Sequence, residues 1–389
     1  MTFITVDEIT RRFPESTAVV ISAGDAKRPQ EERDQYKFSL SSGIEEEQKI
    51  KRLVSCYALG GERMLRKGIE RFAPDFATYL RDAALWLDIS GYAIGSNWGP
   101  KKAISIMLLR VAAAKSFEVP FYFLPQSFGP LDFRGWKGAL AQHYLKKYLP
   151  YASAIFAREQ EGFEQLVKRY GLCNVIRSND LVLQNSFVDL RNIFIEPKAP
   201  VQIVPQGNNV AIIPNQKNMK YGQKEDIYKL YEEMIRLLLE NGKNAYLIYH
   251  STEDLSICIE LKRRYFEEDE RVILIEQELN CFDFDKVVAQ MDFVIASRFH
   301  AIVHAYRRSV PSVTLGWATK YRELLALFGQ ERFQFDVREQ LDHKIVLAAE
   351  REMLEHYHEE AAKIASILAQ VQRENVFDAI FEKETSRCQ

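Results

Sequence analysis

Between residues 209 and 321 short apolar runs alternate with helical patterns, and few folds accept that alternation. The runs 209–214, 245–250, 271–276, 293–295 and 311–315 are strand-like, while 224–241, 253–266, 284–291 and 301–307 are helical in pattern. Strands separated by such helices indicate a doubly wound parallel sheet. In open sheets of this kind ligands bind beyond the carboxyl ends of the strands. The stretch 291–321, MDFVIASRFHAIVHAYRRSVPSVTLGWATKY, puts Ser297, Arg298 and His300 at one such end, just ahead of a helix, with Lys320 in the loop after the next strand. The start of a helix offers unpaired N–H groups and the positive end of its dipole to an anion. Arginine matches the geometry of carboxylate or phosphate, and histidine exchanges a proton near neutral pH. The pair therefore suggests an anion site with a proton donor beside it. Taken alone, an Arg-x-His at a strand end is better read as an ordinary strand–helix–strand unit with a structural histidine. The order of the earlier segments is what decides.

Those segments form a second α/β series. Residues 1–16 are a charged helical lead-in and 17–22 a short strand. Residues 42–72 carry apolar side chains at helical spacing, with Gly60-Gly61 placed to break the helix in two. ALWLDISGYAIGSNWG (84–99) reads as a strand running into a loop that contains Gly91 and Tyr92, followed by a buried helix over 101–115. In VPFYFLPQSFGP (119–130) the closing Pro-Gln-Ser-Phe-Gly-Pro reads as a loop that turns the Gln126 amide toward a cleft. SAIFAREQEG (153–162) delivers Arg158 and Glu159 from a strand end into a helix, and CNVIRSNDLVL (173–183) adds a strand closed by Asn179-Asp180. The proline-dotted, aperiodic stretch 185–208 reads as a linker. Beyond 333–335 the chain is one long charged helical region, 338–381. The expected division is a Rossmann-like domain over 1–190, a linker over 191–208, a second Rossmann-like domain over 209–340, and helices over 341–389 able to cross back to the first domain.

Length supports two domains, since 389 residues exceed one ordinary core. With 52 basic and 54 acidic residues the net charge is −2, so no global field points to nucleic acid. The five cysteines are scattered, without the spacing of a metal site or a disulfide framework. No run approaches the ~18 apolar residues of a membrane helix, and the opening lacks a basic start followed by an apolar core. The expectation is a cytoplasmic protein, free or peripheral at the inner face of the membrane, using no metal and no cofactor.

SRFHAIVHAY, the following VPSVTLGW and Lys320 resemble the carboxyl-terminal signature of the polysaccharide pyruvyl transferase family. The resemblance runs from about Asp88 to Tyr321, most specific at SRFH and Lys320 and weakest before residue 80. It implies the two-domain glycosyltransferase-B arrangement and an enzyme that moves the enolpyruvyl unit of phosphoenolpyruvate onto two hydroxyls of a sugar as a cyclic ketal, releasing phosphate. Such enzymes serve surface polysaccharide biosynthesis, on a sugar or oligosaccharide acceptor that is free or lipid-linked, and a homo-oligomer is compatible with it. His300 is then the general acid, and Arg298, Lys320 and Arg158 the cradle for phosphate and carboxylate. Ser297, Gln126, Gly91, Tyr92 and Asp180 line the same cleft, which both halves would build. Relatives show three consecutive glycines where this chain has Gly91-Tyr92-Ala93-Ile94-Gly95, so Tyr92 either narrows the cleft or offers a sugar an aromatic platform. Two rival readings share the architecture: a nucleotide-sugar glycosyltransferase and a non-catalytic subunit of a polysaccharide-assembly complex.

Overall fold

The computed structural model describes residues 1–197 and 207–388. Of the linker expected at 191–208, residues 198–206 lie outside the described residues. The chain divides into two compact units, one of Met1–Leu181, Phe187–Lys198 and Asn375–Gln389, the other of Val182–Ser186 and Ala199–Glu374. Residues 191–197 of the expected linker thus group with the first unit, residues 207–208 and the long helix His343–Val371 with the second.

In the first unit β1 (Val19–Ile21) and β2 (Ser39–Ser41) form a small parallel pair. The main sheet consists of β3 (Trp86–Asp88), β4 (Tyr92–Ile94), β5 (Phe121–Phe128), β6 (Ala154–Ala157) and β7 (Val175–Arg177). Its order is β3-β5-β6-β7, all parallel, with β4 paired to the far end of β5. Every residue of β5 is buried, as a central parallel strand requires. The helix Glu47–Phe72 breaks at Gly60 and Gly61, where the sequence places the break, and Gly61 has φ +60. The carboxyl-terminal helix Val376–Cys388 belongs to this unit: Phe381 packs edge-on against Phe13 at 4.9 Å, and Lys383 donates to the Ser153 carbonyl at 2.6 Å.

Two expectations change here. The segment after β3 is not a free loop, because Tyr92–Ile94 adds a strand alongside Ser127 and Phe128. Nor is Pro-Gln-Ser-Phe a turn, because those residues are the second half of β5. Proline lacks a ladder donor, and the strand tolerates Pro125 where its register with β6 shifts between Phe123 and Gln126. Flanking strands on both sides extend β5 where local turn propensity would end it.

The second unit is a six-stranded parallel sheet. It comprises β8 (Asn209–Ile213), β9 (Asn244–Ile248), β10 (Val272–Ile275), β11 (Phe293–Ala296), β12 (Ser312–Gly316) and β13 (Gln334–Asp336), in the order β10-β9-β8-β11-β12-β13. Its core is built by strand residues such as Ile212, Phe293 and Ile295, with Leu230, Met234 and Leu238 of the helix Lys224–Glu240. Each such side chain contributes about 1.5–3 kcal/mol by leaving water. The chain runs from β8 outward to β10 and then returns to lay β11 on the other side of β8. The strand order therefore reverses between β8 and β11, where a crevice opens at the carboxyl ends. The sequence reading omits β13 and merges the two last helices, which separate at Gln372–Asn375.

Close backbone approach limits several glycines of the first unit, Gly162 among them. A Cβ on Gly162 would stand 2.6 Å from the Phe128 carbonyl oxygen, whereas one on Gly24 would meet nothing within 4 Å. Gly162→Ala should cost about 1–3 kcal/mol in urea unfolding, while Gly24→Ala stays within about 0.5 kcal/mol of the wild type.

Candidate active site

At the reversal point the residue leaving β11 is Ser297, and each of its polar atoms is engaged. Its N–H donates to the Ile213 carbonyl at 2.9 Å. Its carbonyl accepts from Asn215 Nδ2 at 2.8 Å and from the Tyr321 hydroxyl at 3.0 Å, and its Oγ shares a 2.8 Å hydrogen bond with the Tyr231 hydroxyl. The hydrogen-bonded side chains come from the exit of β8, from the helix Lys224–Glu240 and from the helix Thr319–Leu327. Burial pushes the Tyr231 and Tyr321 hydroxyls well above the usual tyrosine range, so both remain neutral. Ser297 is fully buried and acts as the fixed corner of the site.

From this corner two helices start side by side, since β11 and β12 are paired. The helix Phe299–Arg307 follows β11 and the helix Thr319–Leu327 follows β12. The sequence reading leaves Lys320 in a loop and His300 in a turn; each is in fact the second residue of a helix, among the N–H groups that have no partner within it. Both side chains are partly exposed. Phe299 links them: its ring meets the His300 imidazole edge-on at 5.5 Å, and the Lys320 ammonium lies 4.9 Å from its centre. The same ammonium is 5.9 Å from the Trp317 ring and 5.8 Å from the Tyr321 ring. Aromatic faces hold a cation in place without neutralising it. Helix dipoles, an ammonium and an imidazole together can bind an oxyanion and pass it a proton.

Arg298 behaves differently from the expectation. Its Nε and Nη2 donate to the two carboxylate oxygens of Asp254, both at 2.7 Å, and Nη2 also reaches Glu253. Asp254 is fully buried and in turn accepts from the Gln216 N–H at 2.9 Å. The guanidinium fork that a substrate anion would need is therefore filled by carboxylates of the turn after β9. Arg298 ties the exits of β11, β9 and β8 together. The second histidine of the motif, His304, is also committed, with Nδ1 3.1 Å from Asp285. At the end of β9, His250 is pushed down to about 4, first by burial and then by the electrostatic effect of the nearby His304 and Arg298.

The first-unit residues gather around Arg158. Arg158 is 7% exposed and spans Glu159 at 2.8 Å, Asp180 at 2.6 Å and Ser127 at 2.5 Å. The sequence reading gives it an anionic donor, but two carboxylates already compensate its charge. The cause is topological: β6 lies between β5 and β7, so their exits deliver Ser127 and Asp180 against it. Gln126 is completely buried rather than turned toward a cleft. Its Nε2 reaches Asp88 at 3.3 Å, and its Oε1 has no partner among the described residues. The Tyr92 hydroxyl donates to the Gly129 carbonyl at 2.8 Å, and its ring meets Trp98 at 5.7 Å. Gly91 takes φ +70, and its carbonyl accepts from the Ser127 N–H at 2.8 Å.

Sequence reasoning misses Asp254, Asn215, Tyr231, Tyr321 and Trp317. Asn215 and Asp254 were open to detection, as polar residues shortly past an apolar run and ahead of a helix. The tyrosines sit inside helices and carry no such signal. Among the described residues, no cluster of three or more His, Cys, Asp and Glu side chains could hold a metal ion, and no helix is long and apolar enough to cross a membrane.

A profile of the family described as polysaccharide pyruvyl transferase matches residues 3–319. No curated protein matches the chain in sequence. Among solved structures, a putative UDP-N-acetylglucosamine 2-epimerase from Listeria monocytogenes has a TM-score of 0.56 at 10% identity, over 93% of this chain and 86% of that one. The S. aureus MnaA–UDP structure gives 0.53 at 11% identity over 93% and 88%. The UDP-GlcNAc 2-epimerase of Methanocaldococcus jannaschii gives 0.52 at 11% over 90% and 89%. At these identities the likeness is one of fold. It places the chain among α/β proteins of the glycosyltransferase-B type, with two Rossmann-like units of parallel sheet and carboxyl-terminal helices.

Two measurements test the framework of the site. Asp254→Asn keeps the shape but leaves the Arg298 guanidinium without its main counter-charge, and should lower unfolding stability by about 2 kcal/mol. His250 is a base whose folded value lies below its unfolded one, so it costs nothing above pH 6.5. As pH falls from 6.5 to 4 the unfolded chain takes up a proton that the folded chain refuses, and stability drops by up to about 1.4 kcal/mol per pH unit. Urea unfolding between pH 7.5 and 4 should therefore show a steeper decline for the wild type than for His250→Asn.

Proposed function

Because the chain belongs to the polysaccharide pyruvyl transferase family, we propose that it transfers the enolpyruvyl group of phosphoenolpyruvate onto two hydroxyls of a sugar. The product is a pyruvate ketal on a component of a surface polysaccharide, and phosphate is released. The observation that carries this reading is the pairing of His300 and Lys320 at the starts of two neighbouring helices, joined through Phe299. Phosphoenolpyruvate brings a phosphate and a carboxylate to one carbon, and its methylene must gain a proton before an alcohol can add. A site with helix N-termini and an ammonium on one side and an imidazole on the other answers both needs.

In this account the His300 imidazolium gives its proton to the methylene carbon, leaving positive charge on the neighbouring carbon. One sugar hydroxyl attacks that carbon and releases its proton. Cleavage of the carbon–oxygen bond expels phosphate with the bonding electron pair, and the adjacent hydroxyl closes the ring with loss of a second proton. No oxidant, reductant, metal or cofactor enters the balance. Lys320 and the two helix starts hold the anionic groups, and the aromatic rings around Lys320 help to place its ammonium. Arg298 acts as a positioning residue, and Arg158 with Asp180 holds strand exits together.

His300→Gln should lower turnover by roughly 10²–10⁴-fold, with phosphoenolpyruvate still stabilising the protein in thermal-shift titration. Lys320→Ala should weaken that stabilisation and lower kcat/KM together, because it contacts an anion present before and during the reaction. Phosphate release from phosphoenolpyruvate across a panel of sugar acceptors is the readout. Stabilisation by UDP alone, with no response to phosphoenolpyruvate, would replace this reading by a nucleotide-sugar glycosyltransferase.

A further inference from the structure

We propose that the helix Gly135–Tyr148 of the first unit is a docking surface for an anionic lipid membrane. Its inner face is fixed by Gly138, Ala141, Leu145 and Tyr148, all buried. Gly138 is packed so closely on Phe133 that a Cβ there would stand 2.6 Å from its backbone. The opposite stripe, at positions 136, 140, 143 and 147, is therefore turned outward, and it holds Trp136, Leu140, His143 and Lys147. Trp136 is 74% exposed and Leu140 37% exposed.

Exposing an indole on the first turn of a helix forfeits burial that a core site would supply, and none of the described residues of this unit covers it. The charge pattern indicates what does. Lys137, Lys146 and Lys147 lie on this helix and no aspartate or glutamate does, in a chain whose net charge is −2. Lys137 sits 5.0 Å from the Trp136 ring, and Lys147 donates to the Tyr57 hydroxyl at 2.7 Å with Glu62 at 3.5 Å. Tyr57 packs on Tyr144 at 5.7 Å, and two residues further along its own helix, at the glycine break, Leu59 is 80% exposed. An aromatic and an aliphatic side chain among lysines is the composition of a helix that lies in the headgroup layer. There the indole rests at the apolar boundary, and each lysine is attracted to anionic headgroups. A second copy of the chain would bring the same lysines against one another, so charge favours lipid over self-association. The inference does not depend on which donor the second unit takes.

Co-sedimentation with phosphatidylglycerol vesicles, phosphatidylcholine vesicles as reference, tests it on the full chain. The wild type should pellet with the anionic vesicles at low salt and release as salt rises toward about 0.5 M, where screening is strong. The double variant Trp136→Ser/Leu140→Ser should lose most of that binding. Each of Lys137→Gln and Lys146→Gln should weaken it by about fivefold. Leu327→Ser, an exposed apolar site of the second unit, should leave it unchanged. The substituted side chains are exposed or, at Lys137, half-buried, and far-ultraviolet circular dichroism should match the wild type throughout. Absence of binding to anionic vesicles, equal binding by the double variant, or a dimer in vesicle-free solution that the double variant dissolves would each overturn the proposal.

Discussion

The candidate site depends on how the chain leaves β11. Ser297 has its N–H, carbonyl and hydroxyl all hydrogen-bonded, and the next residue, Arg298, is clamped by Asp254. An unsatisfied group at such depth costs about 1–3 kcal/mol, so this one turn is held in a single geometry by several independent contacts. The next element is then determined: the helix carrying His300 begins at a fixed place and points its amino end into the crevice between β8 and β11. The neighbouring helix is registered to the same turn through the Tyr321 hydroxyl. His300 and Lys320 owe their placement to this shared anchor, the first through the short run of chain after Ser297 and the second through Tyr321.

Charge is distributed in keeping with that division of labour. The two arginines that the motif reading assigns to substrate, Arg298 and Arg158, are each compensated by two carboxylates. The Lys320 ammonium lies within 6 Å of the Phe299, Trp317 and Tyr321 rings, a distance at which aromatic faces attract a cation. A cation meant to hold structure is best neutralised locally, because a lone buried charge is costly.

Much of this was legible in the sequence because it is written in local periodicity. The alternation of apolar runs and helical spacing gives both sheets, Gly60-Gly61 marks its helix break, and the strand exits at Arg298 and Arg158 are where the runs end. The errors arise where a partner far along the chain overrides a local signal. Pro125 and Gly129 look like a loop, but pairing with Tyr92–Ile94 on one side and Ala157 on the other holds Gln126 and Ser127 in a strand. An arginine at a strand end shows the place but not the direction of its guanidinium. Asp254 lies 44 residues before Arg298 and Asp180 22 residues after Arg158, and only the sheet order brings them together. Lys320 reads as a loop residue because Gly316-Trp317-Ala318 masks the helix that starts at Thr319.

Proton delivery to the methylene carbon of phosphoenolpyruvate, with departure of phosphate, is the central claim, and solvent isotope content tests it most directly. The protein would be incubated in D2O with phosphoenolpyruvate and a panel of free and lipid-linked sugar acceptors, and the sugar product analysed by mass spectrometry. The account predicts a ketal whose methyl group carries a single deuterium from solvent, formed in step with inorganic phosphate. A sugar product that retains the phosphate, or that contains no carbon from phosphoenolpyruvate, would contradict it.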